Sequence, residues 1–102
     1  MRIYHLPLFM LTGLLLACVA APVQEMSDAR QAIESAAAAG ADGYTNVAMR
    51  DARRLIDQAL RAMENRRYRD ARMLALEAKT KAVSARIIVL QESLYPEAKQ
   101  AE

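Results

Sequence analysis

The stretch "NVAMRDARRLIDQALRAMENRRYRDARMLALEAKTKA", Asn46 to Ala82, decides the fold, because it contains no glycine or proline and its small apolar residues are regularly spaced. Ala48, Ala52, Leu55, Ile56, Ala59, Ala62 and Met63 step by three and four. Ala71, Leu74, Ala75, Ala78 and Ala82 do so again, continued by Ala85 and Val89. That spacing puts each set on one face of an α-helix. Asn65-Arg66-Arg67, between the two sets, is too short for anything but a tight connection, so the second helix folds back on the first. No breaker interrupts it before Pro96.

The pattern predicts helices over 46–64 and 68–94. At 1.5 Å per residue they are roughly 28 and 40 Å long. The longer helix overhangs, and its surplus end carries Ile87-Ile88-Val89-Leu90. Facing alanines let two backbones approach toward the lower end of the usual interhelical range. They bring extensive contact but little buried area, so the hairpin needs cover from a third helix or a second copy.

A third helix is available upstream. Ser27 is a good N-cap, Asp28 complements a helix start, and Gly40 suits the stop after Ala39. Ala29, Ile33, Ala36 and Ala37 supply its apolar face, and "GADGYTN" reads as the turn that follows. Residues 18–26 then form a short tether. Pro22 breaks any continuous rod from the N-terminus into the domain.

The chain has 102 residues, no tryptophan, one phenylalanine, three glycines and three prolines. The expected fold is all-α: an antiparallel helical hairpin within a small three-helix bundle over 27–95, with a tail over 96–102.

The first 17 residues, "MRIYHLPLFMLTGLLLA", are of a different character. Arg2 provides a cation, Leu6 to Leu16 an apolar stretch, and Ala17 a small exit residue, the layout of a secretory signal helix. The apolar run is about half the ~20 residues a spanning helix needs. Extended through "VAAPV" it approaches that length, which keeps an uncleaved anchor open as the alternative.

Leu15-Leu16-Ala17-Cys18 resembles the lipobox of bacterial lipoproteins, with Leu16 larger than is usual in its slot. The resemblance implies diacylglyceryl transfer to the Cys18 sulfur, cleavage between Ala17 and Cys18, and acylation of the new amino group. It also implies an outer-membrane destination facing the periplasm, since Val19 stands where an aspartate would resemble a retention signal. Without lipidation, Cys18 is simply a small packed hydrophobe.

Processing at Cys18 removes His5, the only histidine, and consumes the only cysteine. The remaining chain then has no imidazole or free thiol for nucleophilic catalysis. No acidic cluster has calcium-loop spacing and no glycine-rich loop could cradle a phosphate. Neither an enzyme nor a cofactor is expected. The formal charge of +2 singles out no partner class.

Arginines gather around the hairpin, and Arg53, Arg54, Arg66, Arg67 and Arg69 are the candidate patch for an anionic partner such as lipid phosphate or cell-wall polymer. The blander reading is a solvated face with local pairs Arg53–Asp57, Asp57–Arg61 and Arg66–Asp70. Nucleic acid is disfavoured by export and by the scarcity of aromatic residues among these arginines, where Tyr68 stands alone. Tyr44 and Tyr68 are expected to fill the ends of the hairpin.

Two further resemblances attach to these residues. Tyr68, Ala71, Ala75 and Ala78 resemble half of a tetratricopeptide-type unit, without a second copy at that period. The run "ARQAIESAAAAGADGYTNVAMRDARRLIDQALRAMENRRYRDARMLALEAKTKA", within residues 26–85, resembles the bacterial domain of unknown function 4398. Members of that family are envelope lipoproteins or precede a peptidoglycan-binding domain of the outer-membrane-protein-A type, and nothing resembling the second domain occurs here. The expectation is a lipid-anchored envelope protein serving as a non-enzymatic helical interaction module, for a protein partner or for itself. The alternatives are a structural lipoprotein linking outer membrane to cell wall, through the arginines or Lys99, and an accessory subunit or inhibitor of an envelope enzyme.

Overall fold

Three helices and no strand make up the computed structural model, which describes residues 20–43 and 46–96. The expected signal segment 1–17, Cys18, Tyr44 and Lys99 lie outside the described residues. Helix α1 is Val23–Ala36, with a wider π-helical turn over Ala37–Ala41; α2 is Val47–Glu64 and α3 is Tyr68–Leu94. The Asn46 side chain donates Nδ2–H to the Ala85 carbonyl at 3.3 Å, which pins the start of α2 late on α3 and makes the pair antiparallel. Glu25 meets Arg72, and Gly40 lies beside Val89, so α1 runs parallel to α3. The three helices run up, down and up.

The bounds of α2 and α3 agree with the spacing argument, and each has a local cause. Asn46 is extended and its Oδ1 accepts the Met49 N–H at 3.0 Å, an N-cap that satisfies one orphan donor of α2. At the other end of α2, the Arg67 N–H bonds the Ala62 carbonyl at 2.8 Å and the Arg66 N–H bonds the Met63 carbonyl at 3.0 Å. Those two bonds are a Schellman reversal, and it forces Arg66 to φ 58°. Helix α3 stops at Leu94 because Tyr95 precedes Pro96 and is driven out of the helical region, to φ −128° and ψ 65°.

The left-handed position at Arg66 leads to a prediction. A residue with a Cβ loses roughly 1–2 kcal/mol there, and glycine recovers most of that while adding freedom to the unfolded chain. Arg66→Gly is expected to raise stability by about 0.5–1 kcal/mol, read as a higher urea midpoint with unchanged slope. The other positive φ belongs to Gly40, at 103°, which ends the first helical segment as anticipated.

Helix α1 begins four residues before Ser27 and so corrects both its predicted start and the extent of the tether. Pro22, at φ −77° and ψ 60°, forms an inverse γ-turn closed by Val23 N–H donating to the Ala21 carbonyl at 2.8 Å. Met26 N–H then donates to the Pro22 carbonyl at 3.0 Å and begins the helix. Proline fits an N-cap because its missing N–H would have no partner within the helix. Ser27 and Asp28 therefore lie within the helix rather than at its cap, and Met26, which is buried, belongs to the core rather than to a linker.

The core is mostly alanine. Every buried residue of α3 is one: Ala71, Ala75, Ala78, Ala82 and Ala85. Bulk comes from the other two helices, through Met26, Ile33, Met49, Leu55 and Ile56. Of the predicted α2 stripe, Ala52, Leu55, Ile56, Ala59 and Ala62 are buried; Met49 joins them, while Ala48 and Met63 at its edges are only partly covered. On the other two helices Ala37, Leu74 and Val89 are likewise only partly covered. No polar side chain is buried among the described residues.

Candidate functional site

A highly charged recess lies at the pole of the bundle where α2 turns into α3. The Schellman reversal throws Arg66 and Arg67 outward, and the first turn of α3 adds Arg69. The recess is lined by Ala20, Arg66, Arg67, Tyr68, Arg69, Asp70 and Arg72. Ala20 reaches it because α1 starts at the same pole, so the chain enters the fold among these arginines. Tyr68 is half-buried there, at the start of α3.

The electrostatics of this pole follow from its partners. Arg72 Nε lies 3.3 Å from Glu25 Oε1 without hydrogen-bond geometry. Arg66, Arg67 and Arg69 are exposed and form no ion pair among the described residues. Helices α1 and α3 both begin here without a side-chain cap, so the positive ends of two helix dipoles add to the guanidinium charges. The opposing C-terminus of α2 is muted, because the reversal occupies the Arg61, Ala62 and Met63 carbonyls.

Arg53 and Arg54 do not belong to this group. They lie early on α2, at least ten residues, or about 15 Å, before Glu64. Arg53 pairs with Asp42 and Arg54 Nη2 lies 3.4 Å from Asp51 Oδ1. The five-arginine patch divides into a free group at the α2–α3 turn and a neutralised pair on the side. The expected pairs Arg53–Asp57, Asp57–Arg61 and Arg66–Asp70 are absent among the described residues. Asp42 captures Arg53 because the Gly40 turn brings it beside α2, a neighbour that spacing along a single helix cannot reveal.

At the opposite pole α3 runs past the Asn46–Ala85 contact to Leu94, an extension of about 13 Å. Of the predicted overhang, Ile87, Ile88 and Leu90 are exposed while Val89 packs on the core beside Gly40. Leu94 and Tyr95 add to the open apolar surface. Among the described residues no group of carboxylates, cysteines or histidines could hold a metal ion, and no helix is long and apolar enough to cross a membrane. The described residues thus present a cationic pole and an apolar helix face.

No curated protein and no solved structure matches the chain. A family profile does, over residues 24–101, which takes in all three helices except Val23. The chain belongs to the family described as domain of unknown function DUF4398.

Proposed function

We propose that this protein is a lipid-anchored component of the bacterial cell envelope whose bundle acts as a non-enzymatic interaction module facing the periplasm. The observation that carries this reading is the place where the chain enters the fold. Ala20 sits among Arg66, Arg67, Arg69 and Arg72, and Cys18 of the lipobox-like Leu15-Leu16-Ala17-Cys18 is two residues upstream. Two residues span at most about 7 Å. Acyl chains on Cys18 would hold the arginine pole at the bilayer surface, where each cation near anionic headgroups adds about 1 kcal/mol. Acylation and a basic patch together make firmer anchoring than one chain alone.

The same placement weakens the cell-wall tether as an alternative, since the free arginines face the anchor rather than away from it. Salt-sensitive co-sedimentation with purified peptidoglycan would restore that alternative.

The test of the anchor is Cys18→Ser. The variant is expected to lose palmitate labelling entirely and to keep its first 17 residues. Labelling and processing equal to the unmodified chain would end the lipoprotein reading.

A further inference from the structure

Helix α3 carries a second periodicity that the bundle leaves unused. Met73, Leu76, Thr80, Val83, Ile87, Leu90 and Leu94 alternate steps of three and four over three heptads. Met73, Thr80, Ile87 and Leu94 take the a positions, and Leu76, Val83 and Leu90 the d positions. At 3.6 residues per turn this seam lies about 150° around the helix from the alanine stripe. It is open along its length, with Leu76 49% exposed, Val83 44%, Ile87 47% and Leu90 44%. The exposed large apolar side chains of the described residues lie on α3 or at Tyr95, apart from Val23 and Val47, which each begin a helix.

We infer that a second copy of this chain covers this face, in a parallel dimer joined α3 to α3. A heptad seam is self-complementary, since its a and d side chains fit the holes of an identical partner. The one polar member is prepared for burial: Thr80 donates its hydroxyl to the Leu76 carbonyl at 3.1 Å, so covering it strands no donor.

Charge sets the direction. Three of the four g positions, Arg72, Lys79 and Arg86, are basic and the fourth is Ser93; the e positions are Glu77, Ser84 and Gln91. An antiparallel pair would set g against g, Arg72 facing Arg86 and Lys79 facing Lys79. A parallel pair sets g against e and places Arg72 of one copy near Glu77 of the other. It also brings both Ala20 residues to one pole, as two anchors in one membrane require. That last argument rests on the anchoring reading, whereas the charge argument stands without it.

The experiment uses the full chain in mild detergent, with Cys18→Ser so that an introduced thiol is the only one. Leu76→Cys is expected to form a disulfide dimer in most of the material under mild oxidation. When it is mixed with a size-tagged Leu90→Cys chain, like should couple with like. Preferential coupling of position 76 to position 90, or no coupling, overturns the inference. Independently, light scattering should give a two-copy mass for the unmodified chain. Ile87→Glu with Leu90→Glu should give a one-copy mass with undiminished helical circular dichroism. A monomeric unmodified chain, or a charged variant that keeps the two-copy mass, overturns it as well. Cys18 acylation is read separately, so an unacylated dimer counts against the anchor alone and an acylated monomer against the seam alone.

Discussion

Ala78→Leu is expected to lower the unfolding free energy by about 3 kcal/mol, although it adds apolar surface to an apolar core. Ala78 is completely buried near the middle of α3, and the buried residues on either side of it along the stripe, Ala75 and Ala82, are alanines too. Both other helices rest on this stripe, so a longer side chain has no void to enter and must push one of them away. Overpacking typically costs 1–3 kcal/mol, and the upper end applies where relief requires moving a whole helix. For a domain of this size that is a large fraction of a stability of about 5–15 kcal/mol. Urea unfolding followed by circular dichroism checks it. In the one-copy Ile87→Glu, Leu90→Glu background, a matched Leu76→Ala exchange on the exposed side of the same helix should change stability by less than about 0.5 kcal/mol. Equal effects at the two positions would contradict the assignment of faces.

Met49→Ala is expected to cost about 3 kcal/mol, for the opposite reason. Met49 is 2% exposed and is the largest fully enclosed side chain among the described residues. In a core whose α3 wall is all alanine, the bulky residues of α1 and α2 fill the space. Truncating one removes buried methylene and thioether surface and leaves a cavity that helices held in close contact cannot collapse to fill. Met49→Leu, nearly equal in volume, should lose less than about 1.5 kcal/mol. Thermal unfolding of the pair distinguishes lost volume from lost shape. If Met49→Ala were nearly neutral, the apolar face of α2 would instead be the one centred on Ala48.

The sequence made α2 and α3 legible because their ends are marked by residues with strong backbone demands. Asn46 caps, the Asn65–Arg67 segment reverses the chain, and Pro96 expels Tyr95 from the helix. Helix α1 was harder, since Ser27-Asp28 has the chemistry of an N-cap while Pro22 supplies the geometry of one. A stripe of small residues also leaves its own centre poorly defined: Ala48 and Met49 are adjacent, and only packing against α3 selects the methionine. The arginines show the same limit at larger range. Their positions were plain in the chain, but the division into a free pole and a neutralised side depends in part on Asp42 reaching Arg53 from the turn after α1.

The odd number of helices among the described residues has a geometric consequence. With three, the chain comes in at one pole and Leu94 leaves from the other, separated by the length of α3, about 40 Å. An even-numbered bundle would return the chain to its starting side. The α1–α3 arrangement therefore sets a stand-off: Leu94 is held a fixed distance from Ala20. That distance is set by a helix count and an uninterrupted run of residues rather than by a flexible linker.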